Sequence, residues 1–125
     1  MILDGSTKLE AVLAGGVSAN QPEVHVDYVD WNINGETSPP VTFRVALNST
    51  TDVTILAAPS GPSKVREPIR ISIYNRDTAN VTVTVKTDDG TTEHIVAQTI
   101  LATLETLHFE KGRGWYATTT AGAIK

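Results

Sequence analysis

Apolar residues in this chain recur at every second position, in short runs separated by turn residues. The clearest case is Pro68–Lys86. Ile69, Ile71 and Ile73 alternate with Arg70, Ser72 and Tyr74, and Val81, Val83 and Val85 alternate with Thr82, Thr84 and Lys86. Period-two alternation of β-branched residues puts each apolar set on one face of a strand. Between the two runs lies Asn75-Arg76-Asp77-Thr78, where Asn and Asp can bond their own main chain in a turn. The stretch predicts one central β-hairpin with its Ile and Val sets on a single buried face.

The same pattern predicts further strands. Over Glu23–Trp31, Val24, Val26 and Tyr28 share one face, and His25, Asp27, Val29 and Trp31 share the other. Short strands follow at Val41–Leu47 and Asp52–Ala57, then at Glu93–Leu101, Thr106–Phe109 and Trp115–Thr118. Loops are marked by Asn32–Pro40, with its Asn34-Gly35 pair, and by Pro59–Ser63. Asp88-Asp89-Gly90 and Gly112-Arg113-Gly114 read as hairpin turns. About eight or nine short strands, spaced roughly 8–12 residues apart, predict a single-domain, all-β antiparallel sandwich or jelly roll.

The ends fit this pattern less well. Leu9, Val12 and Leu13 also fit a helical stripe over Thr7–Ala14, but that window is shorter than a typical helix. Gly15-Gly16 then breaks the run. Residues 1–22 are read as an N-terminal arm or edge strand with Leu9, Val12 and Leu13 exposed. Residues 23–118 form the sandwich, and residues 119–125 a small polar tail. On this reading the arm is dispensable for the fold and free to add to a neighbouring chain.

Composition narrows the function. The chain has 125 residues, room for one domain, with a net charge of −4 and a pI near 5.2. Nucleic-acid binding would ask for a clustered basic footprint, and the ten Lys and Arg are scattered. The scatter equally predicts no polybasic membrane patch. No apolar run reaches the 18 or so residues of a membrane helix. The first residues lack a basic segment followed by a long apolar one, so no signal peptide is predicted. There is no cysteine, hence no disulfide, thiol nucleophile or thiolate metal site.

Candidate chemistry is sparse. His25 with Asp27 shares a strand face, the arrangement a metal or acid/base cluster would need, but Asp30 points the other way. Asp88, Asp89 and Glu93 offer oxygens to calcium, yet their spacing differs from a calcium loop and fits a hairpin turn. Asp27 with Asp30, or Glu105 with Glu110, would supply paired carboxylates for glycoside hydrolysis; nothing in the sequence brings either pair across a cleft. Neither a Gly-x-Ser-x-Gly context nor a Gly-rich phosphate loop occurs. The expectation is a non-enzymatic chain with no cofactor and no metal. Surface aromatics remain. Trp31 and Trp115, with Tyr28 and Tyr116, can stack on sugars or fill a partner's pocket, but the preferred reading is that both tryptophans cap the ends of the core.

Several segments together carry a resemblance. They are Lys8–Ala14 with Asn20-Gln21-Pro22, the strand to Tyr28-Val29-Asp30, Asn48–Pro59, Arg70–Val85, and the run Leu107–Trp115. In this order they resemble a family of small tailed-bacteriophage virion proteins that includes capsid decoration, or cement, proteins. The resemblance spans nearly the whole chain. One departure stands at Leu101–Leu107, where such proteins often have Leu-x-Pro-Gly-Glu-Thr-Leu and this chain has Thr103-Leu104 in place of Pro-Gly.

The resemblance implies no catalytic residues. It implies a β-sandwich made in the bacterial host cytoplasm that binds the outside of a virion, commonly as a homotrimer, with the major capsid protein as partner. Under it, Leu9, Val12 and Leu13 of the arm, with Trp31 and Trp115, are the candidate partner-binding residues. The alternative is a tail or adsorption module, or a carbohydrate-binding sandwich, using the tryptophans as a platform.

Overall fold

A computed structural model describes residues 1–32, 34–61 and 63–125. Ile33, in the predicted Asn32–Pro40 loop, and Pro62, in the predicted Pro59–Ser63 loop, lie outside the described residues. Among the described residues there are nine strands and no helix. They are β1 (Lys8–Leu13), β2 (Glu23–Trp31), β3 (Val41–Ala46), β4 (Val53–Leu56), β5 (Val65–Tyr74), β6 (Val81–Asp88), β7 (Glu93–Leu101), β8 (Thr106–Glu110) and β9 (Gly114–Thr118). A four-stranded sheet has the order β4-β1-β6-β7, and a five-stranded sheet the order β3-β2-β5-β8-β9. All pairings are antiparallel. The two sheets pack face to face as a single-domain β-sandwich.

The core lies between the sheets and takes residues from both. Leu9, Ala11 and Leu13 of β1 meet Val24 and Val26 of β2, Ile71 and Ile73 of β5, and Val81, Val83 and Val85 of β6 in one buried cluster. Alternation correctly put Ile71 and Ile73, and Val81, Val83 and Val85, inward, whereas Ile69, expected on the same face, is half-buried. It misplaced the relationship of the two sets, because Pro68–Lys86 is not a hairpin. β5 belongs to the larger sheet and β6 to the smaller, so the residues after Tyr74 cross from one sheet to the other. Period two tells which face of a strand is apolar. It does not tell whether the next apolar strand lies beside that strand or opposite it.

The crossing is stabilised by a buried amide. The Asn75 Nδ2 donates to the carbonyls of Ala79 and Leu101, both at 3.0 Å, and its Oδ1 accepts from the Asp77 amide at 2.9 Å. Asp77, also buried, accepts from the amides of Ser18, Ala19 and Asn20 at 2.8–3.1 Å. Two side chains thereby tie the crossing to the loop after β1 and to the end of β7. A crossing placed over the core end needs this, since buried polar groups must find partners.

The N-terminal reading needs correction. Lys8–Leu13 is neither an arm nor an edge strand. It lies inside the smaller sheet, hydrogen-bonded to β4 on one side and β6 on the other. Leu9 and Leu13 are buried in the chain's own core, and Val12 is half-buried on the outer face. The polar tail is also engaged. Thr118 bridges to Ile124, and the Lys125 ammonium bonds the Ile100 carbonyl and Glu105, both at 2.8 Å.

Thr103-Leu104, which stand where the resembled pattern has Pro-Gly, include a strained residue. Leu104 has φ +67°, a left-handed conformation that glycine adopts freely and a Cβ resists. Its amide donates to the Asn75 carbonyl at 2.7 Å, and the Glu105 carboxylate accepts from the Ala102 amide. The turn forms without Pro-Gly because these bonds hold it.

Candidate functional site

One β-bulge sets the first cluster. Asp27 pairs with Arg70 and Tyr28 with Pro68, so Ile69 is an extra residue in β5. Beyond the bulge Arg66 turns toward the gap between the sheets. It meets Asp30, its cross-strand partner, through two hydrogen bonds of 2.7 and 3.0 Å, bonds the Ala57 carbonyl, and lies 4.4 Å over the Tyr28 ring. The Asp30 bonds raise the guanidinium's affinity for its proton against the opposing effect of burial. Asp30 therefore serves the fold, and it does not join Asp27. Asp27 lies on the outer face and accepts from the Thr42 hydroxyl at 2.7 Å.

The outer face of the larger sheet carries polar and aromatic side chains side by side. Arg44, His25, Ser72, His108 and Tyr116 form one register row across its five strands. His108 stacks on Tyr116 at 4.9 Å, with the Arg113 guanidinium 4.0 Å above the Tyr116 ring. Burial pushes the His108 imidazole below its ordinary pKa, which favours the neutral ring. The ring meets the Thr118 hydroxyl at 3.0 Å, but among the described residues no carboxylate bonds it, so the contact lacks the third group of a nucleophile triad.

The tryptophans occupy different places. Trp115 is half-buried, packs on Phe109 with centroids 5.2 Å apart, and closes the core between β7 and β9, as the preferred reading held. Trp31 does not cap the core. It lies on the outer face, its Nε1 donating to the buried Glu67 carboxylate at 3.3 Å, with Lys111 above its ring. Beside it is a cleft of about 190 Å³ lined by Asn32, Glu36, Thr37, Ser38 and Lys64.

Of the other expected pairs, Glu105 bonds Lys125 while Glu110 bonds Tyr116 at the far end of β8, so these carboxylates are not brought together. Asp88 and Asp89 accept from the amides of Gly90, Thr91 and Thr92, the work of a hairpin turn. Exposed apolar side chains lie instead on two edge strands, Ile95 and Ile100 on β7 and Val41 and Phe43 on β3. Val41 and Phe43 are 43% and 40% exposed. Phe43 also lines a cleft with Tyr28, Leu56 and Ala57 that opens between β3 and β4.

Sequence reasoning also missed a charged cluster on the smaller sheet. Glu10 of β1, Asp52 just before β4, and Glu93 of β7 converge around Lys86 of β6. Their separation along the chain hides the cluster. The one signal was Glu10 itself, set between the apolar Leu9 and Ala11 of β1. Compared with known proteins, the chain matches no family model, no curated protein and no solved structure.

Proposed function

We propose that this chain is a non-enzymatic virion structural protein that decorates a tailed-bacteriophage capsid, probing its outer surface with an exposed strand edge and binding the major capsid protein, commonly as a homotrimer. The segments quoted above for the family resemblance motivate the reading. The observation that carries it is β3: an edge strand with exposed Val41 and Phe43 beside an apolar cleft that opens between β3 and β4. A free edge with apolar side chains can gain a strand from a neighbour. Three copies around a symmetry axis multiply such contacts. β3 replaces the N-terminal segment as the contact, since Leu9 and Leu13 are used internally.

The test is co-sedimentation of the purified chain with particles lacking it, using wild type and Phe43→Asp. The expected result is saturable wild-type binding, weakened by the substitution while circular dichroism stays unchanged. Absence of wild-type binding sinks the proposal. Equal binding by the variant moves the contact off β3.

A second reading rests on Trp31, a half-buried outer-face indole beside a cleft carrying Asn32, Glu36, Ser38 and Lys64. An aromatic ring beside several hydrogen-bonding groups suits a sugar. Glycan-array binding abolished by Trp31→Ala is its expected mark.

A further inference from the structure

We propose that Glu10, Asp52 and Glu93 form a divalent-cation site of calcium type on the outer face of the smaller sheet, with Lys86 as the resident cation when the ion is absent. Carboxylate oxygens of the three lie within 4.8 Å of one another, a spacing one ion can bridge at metal–oxygen distances of about 2.3–2.6 Å. All three donors are hard oxygens, from β1, β7 and the residue before β4. Calcium accepts such irregular sets, whereas magnesium asks for closer octahedral order.

An acidic cluster alone would not carry this, and Glu10 supplies the second observation. The residue is 5% exposed, and its Oε1 has no hydrogen-bond partner among the described residues. Its other oxygen lies 3.3 Å from the Lys8 ammonium. A buried carboxylate oxygen left unpaired is costly, and an ion would satisfy it.

The charge balance agrees. Among the described residues, Glu10, Asp52, Asp88 and Glu93 pair with only two ammonium groups, Lys8 and Lys86. Two negative charges remain when all are ionised, which one divalent ion neutralises. Lys86 is 2.9 Å from Asp52 and also pairs with Glu93, and its long stem lets it withdraw when an ion enters.

The experiment is thermal melting of the full chain, stripped with chelator, in calcium chloride against sodium chloride of equal ionic strength. Wild type is compared with Glu10→Gln and Lys86→Gln. Calcium is expected to raise the wild-type Tm by roughly 3 °C or more at saturation. Glu10→Gln, which removes a poorly compensated buried charge, melts no lower than wild type without calcium and gains nothing from it. Lys86→Gln, lacking the internal competitor, binds calcium several-fold more tightly by titration calorimetry. A wild-type Tm unmoved beyond the sodium control overturns the site, as does an equal calcium response in Glu10→Gln. An equal response to magnesium overturns the calcium assignment.

Discussion

β1 and β3 are both six residues long and have opposite fates. By pattern β3 is the better strand, with Val41, Phe43 and Val45 alternating with Thr42, Arg44 and Ala46. β1, Lys-Leu-Glu-Ala-Val-Leu, looks ambiguous. Yet Leu9, Ala11 and Leu13 are buried, whereas no β3 residue is fully buried. The difference is position. β1 has hydrogen-bonded neighbours on both sides and a sheet across the core; β3 has β2 alone. Local pattern therefore tells which face is apolar, and the number of neighbours decides how far that face is covered.

The strongest way to break this comparison is to delete residues 1–16. Removal of β1 separates β4 from β6 and opens the core, so the chain is expected to lose its cooperative melt by circular dichroism. A truncated chain that still melts cooperatively would return β1 to the role of an arm.

Single substitutions sharpen the contrast. Leu9→Ala is expected to cost about 2–5 kcal/mol through the cavity it leaves. Phe43→Ala on the edge strand is expected to cost about 1 kcal/mol or less, because its ring is already partly wet. Urea denaturation of both gives the ratio, and comparable losses would mean that β3 is covered in solution.

The loop leaving β1 depends on the Asn75–Asp77 pair. Asn75→Ala leaves the Ala79 and Leu101 carbonyls without a donor and is expected to cost about 1–3 kcal/mol. At the neighbouring turn the sign reverses. Leu104→Gly relieves a left-handed conformation at an exposed residue and is expected to stabilise by up to about 1 kcal/mol, after the added freedom of the unfolded glycine is subtracted. A loss of stability would mean that the Leu104 side chain makes a contact worth more than its strain.

Acid separates the ends of β1 from β3 more gently. Amides of Ser18, then Asn20 and Ala19, hold the Asp77 carboxyl down to about 2 against the effect of burial. Its folded value lies below its unfolded one, so its contribution is complete above about pH 4 and is lost as pH falls through 2. Asp77→Asn is expected to flatten stability over that window, and a pH profile identical to wild type would remove Asp77 from the account.

Much of the fold was legible locally. The bounds of β2 and β7, the hairpin turns at Asp88–Gly90 and Gly112–Gly114, and the inward sets Ile71 with Ile73 and Val81 with Val83 follow from alternation and turn chemistry, which act over a few residues. The sites were less legible. Trp115 was placed at the core end, but Trp31 turned outward over Glu67, a residue distant in sequence that no spacing rule connects to it.

By itself, then, the sequence determined an all-β chain, its strand segments and which face of most strands is apolar, because backbone stiffness and side-chain alternation are properties of neighbouring residues. Tertiary structure alone decided that β5 and β6 face each other from different sheets and that β1 lies inside. It also decided that Glu10, Asp52 and Glu93 meet. Each of these depends on which strands pair over long loops, and such pairing is set by covering the whole core at once.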